Sequence, residues 1–280
     1  MKYVITAIFL VARPLSIYSW SLTMSANGAS EQGRSRLVDL LPPIDTTNGA
    51  VTRMFLIRHG ETRWNAEGRV QGGGYDLELN DDGLRQADAT AEELRDVGTF
   101  DILASSHLRR AKQTADAVSR FHPSARRREL SGLGEMRFGK FEGLALQGPN
   151  CKKETMYEWL GCMDKMKEDE NLRWPGDDGE SLADVEKRAM ASINSLLNEA
   201  RTHDGDSGEA SKQIGVLAHG RTINILLASM IKNDIRLFSS FKQRNCSINV
   251  IDVLCREGQE NHEVSHVILG FTGHIDHLEE

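Results

Sequence analysis

The sequence predicts an α/β fold, and three observations carry that prediction. Short apolar runs at 54–57, 101–104 and 214–218 have the length and side-chain types of buried strands. A polar turn and then apolar residues at helical spacing follow each run, the alternation that builds a largely parallel sheet flanked by helices. The first and third runs both end in His-Gly, at His59-Gly60 and His219-Gly220, and in open α/β sheets ligands sit beyond the carboxyl ends of the strands.

Taken in order, residues 1–50 read as an N-terminal extension and 51–280 as one main domain. Lys2 followed by ten apolar-rich residues resembles the core of a signal peptide and is too brief for a stable membrane span. The serine-rich, acid-poor composition also suits an organelle transit peptide, and Met24 offers an alternative start. These three readings leave secretory, organellar and cytoplasmic locations open. Small polar residues and Pro42-Pro43 mark 25–49 as a lead-in, interrupted by an apolar patch at 37–41.

After the first strand, Gly72-Gly73-Gly74 marks a loop, and Asn80 caps a helix whose apolar face is Leu84, Ala87, Ala91, Leu94 and Val97. The second strand leads to a helix capped by Ser105 or Ser106, with Leu108, Ala111, Ala115 and Val118 as its buried stripe. Residues 144–179 are less regular, with an amphipathic piece at 156–166 and a loop holding Trp174-Pro175-Gly176, and read as an inserted lid. Ser181 and Asp184 form a capping box for a helix bearing Leu182, Val185, Ala189, Ile193 and Leu196. The third strand precedes a helix through Ile223, Leu226, Leu227 and Met230. Strands at 247–254 and 264–269 close the fold, with 272–280 as a tail.

The net charge of −7 argues against nucleic acid as a partner, because a phosphate backbone is bound through a net positive face. The four cysteines, Cys151, Cys162, Cys246 and Cys255, lack CxxC spacing and read as structural thiols, not a zinc site or a disulfide framework. The composition says nothing of oligomeric state.

Four blocks then stand out: RHGET at 58–62, SHLRRAKQTA at 106–115, GEMRFGKFEG at 134–143 and AHG at 218–220. Through them the chain, from residue 52 to about 270, resembles the histidine phosphatase superfamily, also called phosphoglycerate mutase-like. That resemblance implies a three-layer α/β/α sandwich with a mainly parallel sheet. It places the nucleophile on His59, the phosphate-clamping arginines on Arg58 and Arg110, the acid/base on Glu135 and the second histidine on His219. Asn65 and Gln71 fall where relatives contact phosphate, and Gly60 and Gly220 fit tight turns after two strands.

These residue types suit phosphoryl transfer, which needs an in-line nucleophile, cations around the equatorial oxygens and a proton for the leaving group. The positive charges beside His59 keep its imidazole neutral, and a backbone carbonyl near the strand end is expected to fix its tautomer. Planar guanidinium groups match phosphate through two parallel hydrogen bonds, which lysine cannot supply. His219 reads as a hydrogen-bond donor or cation toward the transferring group. The chemistry implied requires neither metal ion nor cofactor, and its partner is a small phosphate ester.

Taken singly, these residues are weaker signals. A strand-end histidine such as His219 is more often structural, and Glu135 alone reads as an exposed carboxylate; the constellation reverses both. Arg126-Arg127-Arg128 reads as a solvated charge run, Arg63 and Arg69 as surface or pocket-rim residues, and His107, His122 and His203 as structural. Asn245-Cys246-Ser247 matches the glycosylation pattern, which matters only in a secreted chain. Many relatives carry a small or amide residue after His-Gly, whereas this chain has Arg221, expected to add a pocket cation or cap a carboxylate.

The leading expectation is a metal-independent phosphatase acting through a phosphohistidine on His59. A phosphoglycerate mutase would use the same site, but mutases of this family carry a longer insertion than the segment 144–179. A non-catalytic phospho-ligand-binding relative would have lost a catalytic group, and all five positions are filled.

Overall fold

A computed structural model describes residues 36–47, 50–202 and 211–255, together with the backbone of 266–274. The N-terminal targeting segment, Met24, His203 and the last six residues of the expected tail lie outside the described residues.

The apolar run at 54–57 is the middle of strand β1 (Ala50–Arg58), the centre of a six-stranded sheet ordered β3-β2-β4-β1-β5-β6. Chain order runs through helix α1 (Leu37–Leu40), β1, α2 (Arg63–Ala66), α3 (Asp81–Glu93), β2 (Ile102–Ser106), α4 (Arg109–Ser119) and β3 (Arg126–Leu130). It continues through α5 (Lys153–Glu168), α6 (Leu182–Thr202), β4 (Lys212–Ala218), α7 (Gly220–Leu227), β5 (Ile248–Cys255) and β6 (His266–His274). Strands β1 to β4 pair in parallel, and β5 and β6 add antiparallel pairings on one side.

Side chains alternate across a strand, so the continuous apolar run in β1 serves two faces. Met54 and Leu56 pack under α6 and α7 with Ile193, Leu196, Ile223 and Leu226. Phe55 and Ile57 pack on the other face with Ala87, Ala91, Ala115 and Val118 of α3 and α4. The three-layer arrangement follows, each of these buried β1 side chains contributing roughly 1.5–3 kcal/mol. A third cluster carries the insertion at 144–179: Trp159 of α5 stacks on Trp174 at 4.3 Å, beside Phe138 and Phe141.

Several local expectations are met and several shift. Asn80 caps α3 by accepting from Gly83 N at 2.7 Å, and Ser181 and Asp184 form the reciprocal capping bonds of α6 at 3.1 and 3.0 Å. Leu84, assigned to the buried face of α3, is 45% exposed, because helical angle does not settle burial in a helix's first turn. Ser105 and Ser106 belong to β2, and α4 begins after Leu108, whose N–H reaches Ser106 Oγ at 3.2 Å. The arginine run 126–128 opens the edge strand β3, with Arg127 paired to Asp116 and Arg128 to Glu199. β6 runs on to His274, so 272–274 are strand and not tail.

The apolar patch at 37–41 contains α1. Leu37 is wholly buried beside Phe55, its N–H donates to the Glu93 carboxylate, and Arg53 donates to Pro42 O at 2.8 Å. Arg53 also faces Asp252 across β1 and β5 in a buried pair with two 2.7 Å bonds.

Candidate active site

Strands β1 and β4 are in register with Arg58 opposite Ala218, so the two His-Gly dipeptides leave the sheet side by side. His59 N donates to Ala218 O at 3.1 Å, and the His59 and His219 rings lie 5.1 Å apart. The echo between the two motifs is thus a consequence of parallel pairing.

His59 is buried and its Nδ1 bonds Gly60 O at 2.7 Å. A carbonyl accepts only, so Nδ1 carries the proton and Nε2 keeps its lone pair. Burial, then the charges of Arg110 and Arg58, hold the His59 imidazole well below its ordinary pKa. His219 is also held well below, by burial first and then by Arg110. Arg110 Nε donates to His219 Nδ1 at 3.3 Å, which puts the proton of the neutral ring on Nε2, a buried atom without a partner among the described residues. The two imidazoles are therefore complementary, one presenting a lone pair and the other an N–H.

Arg110, at the start of α4, is fully buried and donates to Tyr75 O at 2.8 Å and Gly72 O at 2.9 Å. With the Gln71 amide oxygen turned toward the guanidinium, Gln71 accepts from Arg110 Nη1 at 2.7 Å, shares the single Nε hydrogen, at 2.9 Å, with His219, and donates to Thr62 Oγ1. Gln71 thus stands behind Arg110, and its influence on a bound anion passes through that guanidinium. Desolvation lowers the Arg110 pKa to about 10, against the opposing pull of Glu135, and the group stays charged at neutral pH. Among the described residues the Arg58 guanidinium makes one hydrogen bond, Nη1 to Gln243 O at 2.7 Å, and its buried Nε has no partner. It is the more open of the two forks.

The Glu135 carboxylate meets the first N–H groups of α7. Its Oε1 accepts from Met136 N, Thr222 N and Thr222 Oγ1 at 2.9, 3.1 and 3.2 Å, and Oε2 accepts from Arg221 N at 3.1 Å. Free N–H groups at a helix N-terminus hold a carboxylate without a dedicated cation. Asn65, within the capping box of α2, accepts through Oδ1 from Thr62 N and Asn245 Nδ2 at 3.1 and 3.2 Å.

The glycines serve a different purpose from the tight turns expected of them, because neither Gly60 nor Gly220 has positive φ. A Cβ on Gly60 would lie 2.5 Å from Gly83 O, and one on Gly220 would lie 3.4 Å from Arg58 Nε. The first permits α3 to approach the strand end and the second leaves room for the arginine. Arg63 is on the surface, paired to Glu67, and Arg69 packs over Trp64 at 5.8 Å. His122 bonds Leu94 O at 3.0 Å and packs on Phe100, as a structural histidine should.

Sequence reasoning missed Thr222, Arg188 and Gln243, and read Asn245 only as part of a glycosylation pattern. Thr222 was within reach, since it occupies the first turn of a helix that starts at His219-Gly220. Arg188 holds the carbonyls of Gly132, Gly134 and Glu135, and Asn245 Nδ2 donates to His59 O at 3.2 Å. Bonds to main-chain carbonyls leave no sequence signal. Among the described residues no three His, Cys, Asp or Glu side chains are grouped as a metal site, and no helix is long and apolar enough to cross a membrane.

The same arrangement recurs in known proteins. Residues 54–264 match the model of the histidine phosphatase superfamily, branch 1. A metal-independent phosphoserine phosphatase of Arabidopsis thaliana is 31% identical over 203 residues, 72% of this chain and 76% of its own. A probable phosphoglycerate mutase of Erwinia tasmaniensis is 26% identical over 236 residues, 81% of this chain and 95% of its own. Among solved structures, a mycobacterial glucosyl-3-phosphoglycerate phosphatase superposes with a TM-score of 0.65 at 25% identity, covering 80% of this chain and 99% of that one. Two histidines delivered by paired parallel strands, two buried arginines and a match across most of the described sheet lead to one assignment: the chain belongs to the histidine phosphatase superfamily, branch 1.

Proposed function

We propose that the protein is a metal-independent phosphatase that hydrolyses small phosphate monoesters through a phosphohistidine on His59. The observation that carries this reading is the 2.7 Å bond from His59 Nδ1 to Gly60 O, which leaves a neutral Nε2 lone pair among Arg58, Arg110 and His219. Relatives that are phosphatases support the hydrolytic outcome.

In the first step Nε2 attacks phosphorus, the bond to the ester oxygen breaks, and Glu135 in its protonated form gives its proton to the departing alkoxide. Oε2, with one donor against three at Oε1, is the oxygen with capacity to carry that proton. Arg58 offers unengaged N–H groups to the phosphoryl oxygens, and His219 Nε2–H adds a neutral donor as charge develops on them. In the second step ionised Glu135 takes a proton from water, the oxygen attacks phosphorus, and the N–P bond breaks to release inorganic phosphate and restore the imidazole.

Turnover of para-nitrophenyl phosphate in EDTA, compared with His59→Ala, tests this reading. Activity in the wild type, loss in the variant and an acid-labile, base-stable phosphoenzyme are expected; equal rates in the two proteins would refute it. The mutase among the relatives supports a second reading, return of the phosphoryl group to substrate. Isomer formation from 3-phosphoglycerate with its bisphosphate, scored beside free phosphate, separates the two.

A further inference from the structure

Among the described residues Arg221 is a cation without a salt-bridge partner. Its guanidinium lies over the Phe238 ring at 4.6 Å and 6.0 Å from the Phe138 ring, and among the described residues it makes neither an ion pair nor a hydrogen bond. Both rings are buried, so they form a fixed seat for the planar group and restrict the rotamers that a long side chain would otherwise explore. Burial lowers its pKa to about 10 while Glu135 pulls the other way, and the group remains charged at neutral pH. The guanidinium nitrogens are not among the buried unpartnered atoms, so donors that no protein acceptor takes stand open to an incoming anion, which would match the planar fork.

Its position says which part of a substrate that anion belongs to. The Arg221 main-chain N–H donates to Glu135 Oε2, and the charge of Glu135 acts on the Arg221 guanidinium. The phosphoryl group already has Arg58 and Arg110, whereas Glu135, as read above, meets the leaving oxygen. An anion at Arg221 therefore sits on the alcohol side of the scissile bond, and a carboxylate matches the two-pronged geometry of the fork.

We propose that Arg221, seated between Phe138 and Phe238, binds a carboxylate on the alcohol portion of the substrate, which makes phosphorylated hydroxy acids the substrate class. The inference rests on the reading of Glu135 as the acid for the leaving group.

The test compares 3-phosphoglycerate with glycerol 3-phosphate, which differ by a carboxylate in place of a hydroxymethyl group, using the full chain with and without Arg221→Gln and Arg221→Lys. The wild type should prefer the carboxylated ester in kcat/KM. R221Q should reduce that preference about tenfold to a hundredfold, mostly through KM, and R221K, which keeps the charge but not the fork, should fall between. Calorimetric binding of both esters to His59→Ala, alone and combined with R221Q, reads the same preference without turnover. If the wild type shows no preference, or R221Q retains it, the carboxylate site is wrong and Arg221 serves only to pack the two rings. If no ester is hydrolysed yet binding to His59→Ala still depends on Arg221, the phosphatase reading fails and the carboxylate site stands.

Discussion

Arg188 donates through Nη2 to the main-chain carbonyl of Glu135 at 3.1 Å, and through Nη1 to the carbonyls of Gly132 and Gly134 at 2.8 and 2.7 Å. Its Nε and Nη2 also pair with Glu180 at 2.8 and 2.9 Å. One side chain of α6 thus fixes the segment that carries Glu135. Arg188→Met, which keeps bulk and removes every donor, should cost about 2–4 kcal/mol in urea unfolding and lower kcat more than it raises KM. A folded variant with wild-type kcat would show that Glu135 is positioned without it.

Buried neutral histidines make stability depend on pH. His59 and His219 have folded pKa values well below 6.5, so as pH falls through 6.5 the unfolded chain takes up protons that the folded one does not. Stability is therefore full above about pH 6.5 and declines below it, by about 1.4 kcal/mol per pH unit for each histidine until the folded rings protonate. Replacing His219 with Asn should flatten that decline in melts between about pH 7.5 and 5; an unchanged slope would mean that His219 is charged in the fold.

The close approach of α3 to the strand end predicts the outcome of Gly60→Ala. A Cβ 2.5 Å from Gly83 O must push the helix or the histidine turn aside. Overpacking of this kind costs about 1–3 kcal/mol, and because the displaced carbonyl of residue 60 fixes the His59 tautomer, activity should fall further than stability. Parallel measurement of Tm and kcat/KM checks the difference.

The two arginines should respond differently to lysine. Arg58 spends one donor on Gln243 O, so Arg58→Lys should leave Tm near wild type while weakening inhibition by inorganic phosphate roughly tenfold. Arg110 supports Gly72, Tyr75 and His219, so Arg110→Lys should lower stability by about 2 kcal/mol, or about 4–8 °C in Tm, as well as kcat. Equal melting temperatures for the two variants would contradict this division.

The fold was legible wherever burial leaves a pattern. β1 is covered on both faces and reads as a continuous apolar run, whereas β3 lies at the sheet edge, exposes Arg127 and Arg128, and carries no such pattern. Helix registers were legible from Ala87, Ala91, Ala115 and Val118, but the first turn of α3 was not, as Leu84 demonstrates. At the site, His59, Arg58, Arg110, Glu135 and His219 could be named because they lie in the blocks RHGET, SHLRRAKQTA, GEMRFGKFEG and AHG that carry the resemblance. Their supports could not, since Gly60, Gly72, Tyr75 and Gln243 act through main-chain carbonyls that every residue possesses. The seat of Arg221 was hidden for another reason: Phe138 and Phe238 are a hundred residues apart in the chain.

The loop that passes behind His59 also bears on the fate of a newly made chain. Asn245 Nδ2 spends both of its hydrogens inside the molecule, on His59 O and Asn65 Oδ1. That nitrogen is the atom an oligosaccharyltransferase would modify in Asn-Cys-Ser, and it cannot hold a sugar while keeping both bonds. Sugar attachment would cost the histidine turn one of these two bonds, so in a glycosylating compartment modification of Asn245 would compete with closure of the loop, and an occupied Asn245 would point to chains modified before the loop had closed.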